Sequence, residues 1–127
     1  MPNTSAIPED LRDFIISRID SIAEMEALRL LRLDPAAEWD GARLAARLYI
    51  DTEEARRVLE RLCDHGFLMR SGSAYRYGCA SAEIESMVGR VALLYDTQLI
   101  PVTHLIHSRP SSRIQKFADA FKLKKGN

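Results

Sequence analysis

The sequence predicts a mainly helical fold with one small β-hairpin, and three observations carry that prediction. Between Asp40 and Leu62 lie two apolar stripes of helical spacing, Leu44-Ala45-Leu48 and Ala55-Val58-Leu59-Leu62, with only a short break between them. Each stripe follows an aspartate placed to accept from the orphan amides of a helix start, Asp40 for the first and Asp51 for the second. Directly after the second stripe come two strand-like runs, Phe67-Leu68-Met69 and Tyr75-Arg76-Tyr77, with Ser71-Gly72-Ser73 between them as the turn.

Smaller signals agree. Glu54 stands at the capping-box position after Asp51, and Gly66 ends the second helix without a φ penalty. Helix, tight turn, helix and hairpin, in that order, make a winged helix-turn-helix. The stretch from Ile22 to Gly78 resembles the winged-helix domains of bacterial transcriptional regulators, broadly the MarR-like and ArsR-like groups. The pattern Ala55-x-x-Val58-Leu59-x-x-Leu62-x-x-x-Gly66-Phe67-Leu68 is similar to their recognition helix running into the wing. The resemblance implies the fold, and double-stranded DNA as partner of a transcriptional regulator. The metal-binding cysteine motif of many ArsR-like sensors is absent, so no metal or other cofactor is expected. Winged helices also serve as protein-interaction modules, which keeps a second reading open.

The flanking sequence predicts further helices. Pro8-Glu9-Asp10 has the proline and acids of a helix start, and Leu11, Phe14, Ile15 and Ile19 form its stripe. Ser21 and Glu24 fit a capping box for a helix ending at about Leu33, before Asp34-Pro35. Trp39 has two readings, a short strand beside the wing or a core aromatic, and the core reading is preferred. After the hairpin, Ser81 or Ala82 opens a long helix to about Ile100, with Ile84, Met87, Val88, Val91, Leu94, Tyr95 and Leu99 as its stripe. Pro101 must kink or end that helix, and Val102 to His107 continue for another turn or two. A final amphipathic helix follows Ser108-Arg109-Pro110, with Ile114, Phe117, Ala118, Phe121 and Leu123 on one side. The chain thus reads as a single domain over 1–127, with a winged-helix core of about 21–78 and extra helices over 8–19 and 81–123. Several amphipathic helices around so short a core suggest a homodimer.

Net charge bounds the partners. The 18 basic and 18 acidic residues cancel, which argues against a dedicated, sequence-independent nucleic-acid binder. The charge is nonetheless segregated: residues 1–40 carry a net −5 and residues 104–127 a net +5. Opposite ends of this kind suggest either that they lie together, the preferred reading, or that the C-terminus is a basic patch for phosphate. The two cysteines, Cys63 and Cys79, lack ligand spacing and suit reduced thiols in a cytoplasmic protein. The N-terminal residues have no signal-peptide pattern, and no apolar run is long enough to span a membrane.

The candidate DNA contacts are Arg43, Arg47, Arg56, Arg57, Arg70 and Arg76. Opposite the buried stripe of the second helix, however, stand Glu53, Arg57, Glu60 and Asp64. Three acids there would meet dense phosphate charge, each at a cost unless it accepts from a cytosine amino group. That acidic face is instead the docking surface of the alternative, a protein-interaction adaptor that does not bind DNA. Surface pairing, Arg57 with Glu53 or Glu60 and Arg56 with Glu60, is an equally good account of the helix arginines. His104 and His107 have the spacing of a metal pair but no evident third ligand. Tyr49, Tyr75, Tyr77 and Tyr95 are read as packing before pocket lining, which leaves a ligand sensor as a weaker third reading. No phosphate loop, nucleophile elbow or paired-carboxylate signature is present, so no catalytic residue and no enzyme is expected.

Overall fold

A computed structural model describes residues 7–108. Within them the elements run α1 (Glu9–Arg18), α2 (Ile22–Leu33), α3 (Gly41–Leu48), α4 (Thr52–Asp64), β1 (Leu68–Ser71), β2 (Ala74–Tyr77), α5 (Ala82–Thr97) and α6 (Leu99–Ser108). The expected arm at the N-terminus, up to residue 6, and the expected helix beyond Ser108 lie outside the described residues.

Side-chain caps set four helix starts. Ser21 accepts from the amide of Glu24, Asp40 from that of Arg43, Asp51 from that of Glu54 and Ser81 from that of Ile84. Each satisfies one of the amides that a helix cannot pair internally. The α3–α4 connection is short because Tyr49 takes the left-handed conformation, φ 59° and ψ 44°, at the C-cap of α3. Its side chain, 93% exposed, packs on nothing that would explain the residue type. Gly66, at φ +88°, reverses the chain after α4, and a Cβ there would crowd Ile84 at 3.2 Å.

Gly41 has a different role. A Cβ at this position would stand 2.5 Å from Cγ of Arg56 and 3.1 Å from the carbonyl of Thr52. The first turn of α3 can therefore cross the start of α4 this closely only without a side chain.

β1 and β2 form an antiparallel hairpin with Leu68 opposite Tyr77 and Arg70 opposite Tyr75. The strand pairing extends through Ser71 and Ala74, so the turn is Gly72-Ser73 alone, one residue tighter than the sequence suggests. Trp39 joins this sheet as an isolated bridge to Tyr75, N–H to O at 2.7 and 2.8 Å in the two directions. Its side chain is also buried, at 2% exposure, so both readings of Trp39 apply at once.

The core lies where α1 and α2 meet α4 and the hairpin. Ile15, Ile19, Met25, Leu28, Leu31, Leu44, Leu59, Leu62 and Phe67 are fully buried within it. Phe14 of α1 packs its ring 5.9 Å from that of Phe67. A reciprocal pair secures the same corner: Arg18 donates to the carbonyl of His65 at 2.7 Å, and His65 Nδ1 donates back to the carbonyl of Arg18 at 2.6 Å. α5 is tied to α2 by Arg29 on Asp96 at 2.7 Å and by the Tyr95 hydroxyl on Glu26.

One expectation is corrected. The long helix ends at Thr97, not near Ile100, and Pro101 neither kinks nor ends it. The break falls at Gln98, whose carbonyl accepts from the amide of Val102. Pro101 then sits in the first turn of α6, where its missing amide would have had no partner. Leu99 accordingly belongs to α6 and is exposed, outside the α5 stripe. Among the described residues no helix is long and apolar enough to cross a membrane.

Leu62, with no exposed surface, is the sharpest stability probe of this core. Leu62→Ala is expected to cost about 2–5 kcal/mol in urea denaturation, whereas Glu9→Ala, on the exposed first turn of α1, should stay within about 0.5 kcal/mol.

Candidate nucleic-acid interface

The six arginines expected to contact DNA divide into three groups. Arg43 and Arg47 project from α3 onto Trp39: the Arg43 guanidinium lies 4.1 Å from the ring centroid and that of Arg47 5.9 Å. Arg43 also donates to the carbonyl of Glu38 at 2.7 Å. Arg70 on β1 repeats the arrangement on Tyr75, 5.1 Å from the ring and 2.9 Å from the hydroxyl. Because Trp39 and Tyr75 are bridged through their backbones, the two platforms adjoin. The Trp39 Nε1 has no hydrogen-bond partner among the described residues, so the ring acts through packing and its π face.

Arg56 and Arg57 form the second group, near the start of α4. Both engage one carboxylate, Glu53, at 3.1 and 3.8 Å. The expected pairing of Arg56 with Glu60 does not form, because Glu53 holds it from one turn earlier. These pairs are more than half exposed and add little stability, but they lower the net positive charge of the helix start. Arg76 stands apart, exposed on β2 opposite Met69.

Arg56 and Arg70 meet in a cavity of about 270 Å³ between α3, α4 and the hairpin. Asp40, Glu60, Ser73 and Tyr75 share its lining, so it is mixed in charge. The alternative protein-docking face is as the helix period predicted: Glu53, Arg57, Glu60 and Asp64 are all exposed along α4. The four tyrosines do not converge on one site. Tyr49 is on the α3–α4 turn, Tyr77 donates to Glu85, and Tyr95 donates to Glu26.

Sequence reasoning missed a charged cluster behind α4. Arg61 turns from the helix flank to Glu24 at 3.1 Å and Asp20 at 3.6 Å. Glu24, only 1% exposed, also accepts from the amide of Asp20. The one available signal was its capping-box position, which explains its backbone contact but not its burial or Arg61. Burial pushes the Glu24 carboxyl above its usual range, although the Asp20 amide and Arg61 pull it down.

Neither thiol is poised as a nucleophile. Burial pushes Cys79 up to about 11, where Glu85 adds to the shift, and burial likewise raises Cys63. His104 and His107 are exposed on α6, and among the described residues no three His, Cys, Asp or Glu side chains group as a metal site would. A scan against protein-family models found no match to this chain, and a search of curated proteins found none either.

The Glu24 shift has a definite sign. A carboxyl whose folded pKa is raised binds more protons folded than unfolded, so its contribution to stability is greatest below about pH 4.5. That contribution is lost as pH rises through the folded value. The stability of Glu24→Gln relative to the wild type should therefore rise between pH 4 and pH 7, as read from urea unfolding across that range.

Proposed function

We propose that this chain is a winged helix-turn-helix protein that binds double-stranded DNA as a homodimeric transcriptional regulator, without catalytic chemistry of its own. The observation that carries the reading is the row formed by Arg43, Arg47 and Arg70 on the adjoining Trp39 and Tyr75 platforms. Stacking restrains side chains that would otherwise lose rotamer freedom on meeting a phosphate. In a DNA-bound helix-turn-helix the first helix crosses the backbone and the second enters the major groove. Arg43 and Arg47 on α3 then meet phosphates, Arg56 and Arg57 reach the groove from α4, and Arg70 and Arg76 extend the contact along the wing. Glu53 is already neutralised by two arginines, which removes part of the acidic objection to α4. The dimer finds support in Leu93, Leu99 and Ile100, which are 65%, 47% and 73% exposed around the α5–α6 junction. A cytoplasmic location goes with the reading and with the two free thiols.

A second reading rests on Glu60 and Asp64, which remain exposed on α4 without an ion pair among the described residues. In it the winged helix is an adaptor whose acidic face docks a basic protein.

Arg43→Gln with Arg70→Gln tests the first reading. Duplex affinity is expected to fall at least about tenfold at low salt, with the salt slope shallower by about 1 for each arginine. Arg12→Gln, exposed on α1, should change neither. Unchanged affinity in the double variant would sink the DNA reading. Glu60→Lys with Asp64→Lys separates the two: DNA binding tightens under the first reading, and capture of a basic partner is lost under the second.

A further inference from the structure

The cavity between α3, α4 and the hairpin has a chemistry that neither reading uses. Two cations and two carboxylates line its 270 Å³, Arg56 and Arg70 against Asp40 and Glu60. Leu59 and Tyr75 add apolar surface, and Ser73 adds a hydroxyl. Gly41 completes the wall, and a Cβ there would stand 2.5 Å from Cγ of Arg56. The missing side chain is what lets the Arg56 stem lie along the start of α3.

The four charges do not neutralise one another. Arg56 pairs with Glu53, which is not part of the lining. Arg70 donates to the Tyr75 hydroxyl, and Asp40 Oδ1 accepts from the amide of Arg43. Glu60 forms no ion pair among the described residues. A guanidinium carries several N–H donors, so each arginine keeps some to spare, and a carboxylate such as Glu60 has both oxygens open to a donor. Unspent charges of both signs favour a ligand that carries both: a lone anion would meet Glu60, and a lone cation would meet two guanidiniums. The volume limits the size. Sites for drug-sized ligands run to about 300–1,000 Å³, so this cavity suits a molecule of a few heavy atoms.

We propose that the cavity binds a small zwitterion, a free α-amino acid, with its carboxylate on Arg56 and Arg70 and its ammonium on Glu60. The planar guanidinium matches a carboxylate edge to edge, and Leu59 and Tyr75 lie against the aliphatic part of the ligand. Arginines so occupied are withdrawn from phosphate. Where the DNA reading holds, the amino acid therefore opposes duplex binding; the site itself does not rest on that reading.

Amide NMR of the full-length chain, without DNA, tests the site directly. The probes are glycine, L-alanine and L-serine, with propionate and ethylammonium as the two half-ligands. At least one amino acid is expected to give saturable shifts of the Gly41, Arg70 and Ser73 amides, and each half-ligand to bind at least about tenfold more weakly. Glu60→Gln and, separately, Arg70→Gln should abolish saturation while the amides of Leu28 and Val91, in the buried core, keep their wild-type positions. No saturable shift with any of the three amino acids would overturn the proposal. So would unchanged affinity in Glu60→Gln, or propionate binding as tightly as L-alanine, which would make the cavity a site for anions alone. Since no DNA is present, any of these failures leaves the DNA reading where it stood.

Discussion

The pairing of Trp39 with Tyr75 is the contact on which the rest of this structure depends. Two backbone hydrogen bonds attach the hairpin to the residue just ahead of the Asp40 cap, so the start of α3 and the position of the hairpin are set together. A two-stranded hairpin alone is marginal in water, and the third backbone segment and the buried indole supply what it lacks. The same two rings support Arg43, Arg47 and Arg70. Losing the bridge would therefore loosen the fold and scatter the arginines in a single step. Gly41 acts next to it, letting α3 cross α4 at a distance that no other residue allows.

Electrostatics here is a matter of arrangement, since the net charge is zero. The acids are not a uniform screen against an anionic partner. Glu53 is held by Arg56 and Arg57, Glu24 by Arg61, and Asp96 by Arg29. Arg43, Arg47 and Arg70 are differently disposed, since their guanidinium groups lie over rings and form no ion pair with a carboxylate among the described residues. Cation–π support leaves the formal charge intact while restricting the side chain, which suits recognition of a phosphate more than internal neutralisation does. Glu60 and Asp64 remain the feature of α4 that DNA binding must accommodate and that an adaptor would exploit.

Much of the fold was legible because its signals are local. An aspartate or serine before an apolar stripe marks a helix start through contacts within four residues, and the caps at Ser21, Asp40, Asp51 and Ser81 all form. The outward face of α4 followed from helical period alone. What was not legible depends on distant partners. A strand at Trp39 beside the hairpin was one reading of the sequence, but nothing near it announces Tyr75 as the partner, and nothing near Arg61 announces a buried Glu24 on another helix. The break at Gln98 has no local mark: proline reads as a helix breaker, but Pro101 stands in the first turn of α6, where it costs no hydrogen bond. All six candidate arginines were named from sequence, but their sorting into stacked, ion-paired and isolated groups required the tertiary structure.

The central claim is that the stacked arginines, with α4, form a surface for double-stranded DNA. Fluorescence anisotropy of the wild-type chain against random duplex and genomic fragments, at low and moderate salt, tests it most directly. The account predicts binding that weakens steeply with salt, with a few fragments clearly preferred. No binding even at low salt would contradict it and leave the acidic face of α4 as the working surface.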